Sequence, residues 1–230
     1  MSVKPPKLVL FDCDGTLVDS QHLIVAAMNA AHHRHGQVPP ARPDILKVVG
    51  LSLPEAFAVL GARRAAYPAA LLATAYKEAY MGLRQTELPE PLYPGAHAVL
   101  TALRGRDDVV LGMVTGKSRR GVDKVLAAQG MEGWFATIQT ADTAPSKPHP
   151  AMVQMALAET GLAVADTVVI GDTTYDMAMA RAAGVAALGV SWGYHDTASL
   201  EAAGAHLLVY EFAAVPGAIG ALLAPGAAAE

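Results

Sequence analysis

Short apolar runs rich in β-branched residues alternate with stretches whose apolar positions recur at helical spacing. Lys7–Phe11 (KLVLF) is the first such run. Four apolar residues in a row predict a strand buried on both faces. It stops at Asp12-Cys13-Asp14-Gly15-Thr16, where polarity and glycine mark the strand's C-terminal end. Helical spacing then takes over in residues 19–35, 53–60 and Pro68–Leu83, punctuated by Pro39, Pro40, Pro43 and Gly50. Further on, Tyr93-Pro94-Gly95 opens a helix reaching about Arg104. Strands are predicted at Val109–Val114, Ala136–Gln139, Thr167–Ile170, Val185–Val190 and His206–Val209. Between them lie helices at Arg119–Gln129, closed by Gly130, at Pro150–Thr160 with proline in first position, and at Tyr175–Ala183, ended by Gly184. Five prolines and glycines break the apolar tail Ala213–Ala229 (Pro216, Gly217, Gly220, Pro225, Gly226), which predicts a short helix and a frayed end.

Strands alternating with helices imply an α/β fold, a parallel sheet with helices on both faces. The all-helical block separates the first strand from the rest, so it is expected to be an insertion. That gives a core made of residues 1–17 and 93–230, and an inserted helical domain of residues 18–92. Hydrophobic residues make up 53% of the chain and charged residues 17%, enough apolar surface for a sizeable core and against global disorder. The formal net charge is -4, which argues against a nucleic-acid partner, because phosphate backbones reward clustered Lys and Arg. Cys13 is the only cysteine, so no intramolecular disulfide forms, consistent with a reducing cytoplasmic setting. The apolar run before Asp12 is too short for a signal-peptide core, and no apolar stretch reaches membrane-spanning length. A cytoplasmic protein is therefore expected, without a membrane partner and either monomeric or homodimeric.

Open parallel sheets place ligands at the C-terminal ends of their strands. Four polar clusters fall there: Asp12-Asp14, Thr115-Gly116-Lys117, Ser146-Lys147-Pro148 and Gly171-Asp172 with Asp176. In extended chain, Asp12 and Asp14 share a face and Cys13 points the other way. Two carboxylates on one face repel unless a cation separates them or one is protonated. A metal on the first and a proton on the second are both useful outcomes, the second as general acid. Asp172 and Asp176 add hard oxygen ligands, a set without His or Cys that suits Mg²⁺ and not zinc. N-capping of a helix by Asp172 is the structural alternative. Thr115 and Gly116 offer a hydroxyl and a backbone N–H to an anion, and Lys147 offers an ammonium to Asp12 and to phosphate.

Taken together, the four clusters resemble the haloacid dehalogenase superfamily. Phe11-Asp12-Cys13-Asp14-Gly15-Thr16-Leu17-Val18-Asp19-Ser20 is similar to its first motif, Thr115-Gly116-Lys117 to the second, Lys147-Pro148 to the third and Gly171-Asp172-Thr173-Thr174-Tyr175-Asp176 to the fourth. The resemblance implies a Rossmann-like three-layer core with a helical cap inserted after the first motif. It also implies a phosphatase. Asp12 is then the nucleophile, forming an aspartyl phosphate, and Asp14 the acid and base. Mg²⁺ is held by Asp12, the Asp14 carbonyl and Asp172 with support from Asp176, and Thr115, Gly116 and Lys147 hold the transferring oxygens. Asp19 and Ser20 are expected to be structural, starting the hinge into the cap.

Within the superfamily, dehalogenase members resemble this chain without the second carboxylate, and Asp14 is present here. The β-phosphoglucomutase branch carries a cap histidine at the place of Ile24 and a basic residue at that of Val49, so hydrolysis is favoured over that phosphotransfer. Phosphonatase chemistry needs a buried cap lysine, and nothing marks Lys47 or Lys77 as one. His22, His32, His33 and His35 read as a solvated helix face. Val49–Glu55 and Leu92-Tyr93-Pro94-Gly95 resemble the phosphoglycolate phosphatase-like group, so the expected partner is a small, anionic phosphorylated metabolite. A binding or regulatory module that kept the fold but lost turnover is the reading from another class, and no catalytic position is missing to support it.

Overall fold

A computed structural model describes residues 5–86 and 90–224; the last residues of the predicted tail lie outside this set. Six parallel strands form one sheet in the order β3-β2-β1-β4-β5-β6. These are β1 (Lys7–Phe11), β2 (Val109–Thr115), β3 (Thr137–Thr140), β4 (Thr167–Gly171), β5 (Ala186–Val190) and β6 (Leu207–Val209). β1 lies at the centre, with Lys7 opposite Val109 on one side and Leu8 opposite Thr167 on the other. The order reverses at β1: the chain builds outward through β2 to β3, then returns to β4. The crevice at the C-terminal end of β1 is therefore the topological switch point where open sheets bind ligands.

Period-two alternation divides the core. Val9 and Phe11 of β1 join Leu111, Met113 and Ile170 under helices α5 (Ala96–Arg104), α6 (Arg119–Ala128) and α10 (Val215–Leu222). Leu8 and Leu10 face the other layer, beneath α7 (Ala151–Thr160), α8 (Thr174–Ala183) and α9 (Thr197–Ala202). Cys13 is fully buried in the first layer, so its thiol is not available, and burial pushes that thiol above its ordinary range. The three-layer α/β architecture expected from the sequence is the one observed.

The helical block comprises α1 (Gln21–Arg34), α2 (Arg42–Leu46), α3 (Leu53–Gly61) and α4 (Ala69–Thr86). It has its own buried cluster around Met28, Ile45, Phe57, Leu72 and Tyr76. The chain enters and leaves this block on two segments that run side by side, Asp19 N–H donating to the Pro91 carbonyl (2.9 Å) and Tyr93 N–H to that of Leu17 (3.0 Å). No described helix is long and apolar enough to cross a membrane.

Some local expectations shift. Pro43 does not break the chain but sits in the first turn of α2, where its missing N–H costs no helical bond. Pro150 is the N-cap of α7 and not its first residue. α9 lacked a periodic signal because it is only six residues long. His32 is fully buried, held between the Met28 carbonyl (2.8 Å) and the Tyr67 hydroxyl (2.8 Å), whereas His33 is exposed and His35 half-buried.

Candidate active site

Asp12 is the first residue after β1, and its N–H still donates to the Ile170 carbonyl (2.9 Å), so the carboxylate is fixed at the sheet's edge. It is 1% exposed. Oδ1 accepts from Lys147 Nζ at 2.7 Å, while Oδ2 is buried with no hydrogen-bond partner among the described residues. Lys147 arrives from the loop after β3, through a cis peptide to Pro148, and also donates to Asp176 Oδ1 at 2.6 Å. Asp176 is held from behind: the N–H and hydroxyl of Thr173 donate to its Oδ2 at 3.1 and 2.6 Å, completing a capping box at the start of α8. The cap of α8 is thus Thr173, which frees Asp172 from the N-capping role. Asp172 instead accepts from Thr16 Oγ1 (2.8 Å) and Tyr194 N–H (2.9 Å). Gly15, at φ +88°, passes so close to Asp172 that a Cβ there would strike its carboxylate.

Oxygen atoms of Asp12, Asp172 and Asp176 all lie within 4.8 Å of one another, in full burial. Three buried carboxylates around one lysine leave the group short of positive charge. Burial, opposed by Lys147 and reinforced by Asp176, holds Asp12 up at about 6. Burial and then the neighbouring Asp12 and Asp176 push Asp172 well above the usual carboxylate range. A hard divalent cation fits this donor set: the ligands are carboxylate oxygens, and no donor among the described residues satisfies Oδ2 of Asp12. The Asp14 side chain is not part of this triangle.

Asp14 belongs to a second network. Its Oδ1 accepts from Ser20 Oγ (2.6 Å) and Lys117 Nζ (2.7 Å). Lys117 also donates to Glu90 Oε1 (3.1 Å) and Tyr80 OH (3.2 Å), the Tyr80 hydroxyl itself donates to Glu90, and Arg84 pairs with Glu90 at 2.7 Å. Lys117 carries no role in the sequence reading. Its partners Tyr80, Arg84 and Glu90 carry no local sequence signal, because nothing near them in the chain links α4 or the segment returning from it to Asp14. Ser20, expected to be structural, is bonded to Asp14 as well.

Thr115 is the last residue of β2 and Gly116 follows it directly. Thr115 Oγ1 accepts from Lys117 N–H at 3.2 Å, and α6 starts only after Ser118, whose side chain caps Gly121 N–H at 3.2 Å. The Thr115 hydroxyl therefore sits at the strand end and the Gly116 N–H on the loop that follows, not at a helix start. Together these residues line one cavity of about 570 Å³ between sheet edge and helical block. Asp12, Asp14, Thr115, Gly116 and Lys117 form its floor, and Ile24 and Val49 are among its apolar lining. Lys47 and Lys77 are both exposed, so neither is the buried lysine that phosphonatase chemistry needs. The helical block is fastened over the cavity by its Lys47 carbonyl, which accepts from Tyr175 OH (3.0 Å) and His195 Nε2 (3.2 Å), and by Ser52 N–H, which donates to Ser146 Oγ (2.8 Å). Thr174 N–H donates to His195 Nδ1 at 3.1 Å, which sets the tautomer that leaves Nε2 a donor.

Comparison with known proteins agrees with this geometry. The family model described as haloacid dehalogenase-like hydrolase matches residues 9–190. The chain is similar to "Probable phosphatase IndB" of Dickeya dadantii, 36% identical over 94% of each chain. It is also similar to a phosphoglycolate phosphatase of Chromobacterium violaceum, 33% identical over 88% of this chain and 92% of the other. The solved structure of a hydrolase from Pseudomonas syringae superposes with a TM-score of 0.81 at 25% identity, covering 93% of this chain and 97% of that one. With a motif-bearing sheet edge, a family model over residues 9–190 and relatives covering up to 94% of it, the chain belongs to the haloacid dehalogenase-like hydrolases, as an enzyme of their phosphatase kind.

Proposed function

We propose that the protein is a magnesium-dependent phosphatase that hydrolyses a small phosphomonoester through a phosphorylated Asp12. One observation carries this reading: Asp12, buried at the sheet's switch point, keeps one oxygen on Lys147 and the other without a partner among the described residues, beside Asp172 and Asp176. Asp12, Asp172 and the Asp14 backbone would hold Mg²⁺, with Asp176 acting through Lys147 or a water. The ion's chemistry is to supply positive charge where an anionic nucleophile meets an anionic ester.

In the first half-reaction an Asp12 carboxylate oxygen forms a bond to phosphorus as the ester P–O bond breaks. Asp14 gives its proton to the departing alkoxide. In the second half Asp14 takes a proton from water, whose oxygen bonds to phosphorus and releases Asp12 and phosphate. Thr115 Oγ1, the Gly116 N–H and Lys147 hold the equatorial oxygens. Residues 18–92 act as a cap whose closure over the cavity excludes water from the reacting atoms. The relatives named phosphoglycolate phosphatase support a small phosphorylated metabolite as substrate.

Hydrolysis of p-nitrophenyl phosphate tests this reading. Asp12→Asn is expected to lower kcat on the order of 10⁴-fold or more, because the variant lacks the attacking oxygen. Acid-quenched wild-type enzyme is expected to carry an acid-stable, hydroxylamine-sensitive phosphate on one aspartate. Activity unchanged by Asp12→Asn would overturn the proposal.

A further inference from the structure

Of the cations lining the cavity, the two on its floor and wall nearest Asp14 already have carboxylates: Lys117 is held by Asp14 and Glu90, and Arg84 by Glu90. Lys147 is likewise held by Asp12 and Asp176. Among the described lining residues, the cations without such a pair are Lys77 and Arg120, both exposed, and Lys124, half-buried. A substrate's second anionic group would meet only cations already paired with a carboxylate unless it reached one of these three. Burying it there costs more than the surroundings return.

Beside Ser52, Lys77, Tyr80 and Arg84, most of what the helical block presents to the cavity is apolar. Ile24, Met28, Ile45, Val48, Tyr76 and Met81 line the cavity from α1, α2, α4 and the loop after α2. At about 570 Å³ the space is several times what a phosphate and a two-carbon acid need, and within the range that takes ligands of roughly drug size.

Resting on the phosphatase reading above, we infer that the leaving group is an uncharged alcohol with an apolar or aromatic body. Neither a short carboxylate such as glycolate nor a second phosphate fits that description. The apolar wall favours each added carbon of such an alcohol, and any further charge on it must reach as far as Lys77, Arg120 or Lys124. Specificity then resides in the helical block, and the sheet edge supplies the chemistry.

The test is kcat/KM for ethyl, butyl and hexyl phosphate beside phosphoglycolate and pyrophosphate, all with Mg²⁺. Alkyl esters carry the comparison because their leaving groups differ little in intrinsic reactivity. The expected result is a rise of about threefold per added methylene, with hexyl phosphate at least about tenfold above both anionic substrates. Val48→Thr, nearly isosteric, and Met81→Gln, at a position already 37% exposed, are expected to lower the hexyl-to-ethyl ratio severalfold. A flat alkyl series, or faster turnover of phosphoglycolate or pyrophosphate, overturns the inference and leaves the phosphatase reading intact. Refusal of every ester, p-nitrophenyl phosphate included, overturns both.

Discussion

Lys147 sits in full burial between two carboxylates, with a third beside them, and its own charge is what makes that arrangement tolerable. Burial opposes its charge, but Asp12 and Asp176 outweigh that and hold the ammonium above its ordinary range. Removing one member of a buried ion pair strands the others. Lys147→Met is therefore expected to cost about 3–5 kcal/mol of stability in urea unfolding at neutral pH, with Mg²⁺ recovering part of the loss. A loss below about 1 kcal/mol would mean that the aspartates are solvated or protonated in the fold. At this scale much of the site was legible. Asp12, Lys147, Asp172 and Asp176 stand in the sequence beside strand ends, where parallel sheets expose them, and they do converge. Tyr80, Arg84 and Glu90 were not legible. Lys117 lies 103 residues from Asp14, and the contacts that give it meaning exist only once α4 has folded back over the sheet.

Among the elements, the strands were the easiest to place, since a run such as Lys7–Phe11 has no helical reading in so few residues. α2 and α9 escaped because a proline stands in the first turn of one and the other is too short to show a period. The loop after α2 touches the end of β2 with unusual closeness: a Cβ on Gly116 would lie 2.5 Å from the Gly50 carbonyl oxygen and 2.7 Å from that of Leu51. Both are backbone atoms without freedom to swing aside. Gly116→Ala should push this loop outward and lower kcat/KM for p-nitrophenyl phosphate about 10- to 100-fold with little change in thermal stability. Retained activity would show that the loop yields freely. Within α1, burial holds His32 below its ordinary value of 6.5. The fold favours its neutral form, so below that pH the unfolded chain binds more protons and stability falls as the pH drops. His32→Gln is expected to flatten the stability profile between about pH 6.5 and 5 relative to wild type, read by urea unfolding. Parallel profiles would show that His32 titrates alike in both states.

Viewed as a whole molecule, the fold joins a double-layered sheet core to a helical block with its own apolar centre, and their shared boundary is the cavity. No strand pattern interrupts residues 19–83, and the described elements there are helices. How the block is fastened carries no sequence signal, since the Lys47 carbonyl that Tyr175 and His195 grip is a backbone atom. A cation bound only by the folded arrangement of Asp12 and Asp172 stabilises by mass action, about 2.7 kcal/mol at a hundredfold excess over Kd. For a chain of this length that raises Tm by roughly 5–10 °C. The shift is expected to disappear on addition of chelator and to be largely absent in Asp172→Asn, measured by calorimetry; an equal shift in that variant would place the ion elsewhere.

The paired segments at Leu17–Asp19 and Pro91–Tyr93 have an evolutionary corollary. Because the outgoing and returning backbone are already hydrogen-bonded neighbours, whatever lies between them joins the sheet at a single doorway. Changes of length within that stretch need not shift the strands on either side, so long as its contacts at Lys47, Gly50 and Ser52 are kept. On the proposed phosphatase reading, a change within that stretch would alter which ester is admitted while Asp12 and its partners keep their places at the sheet edge.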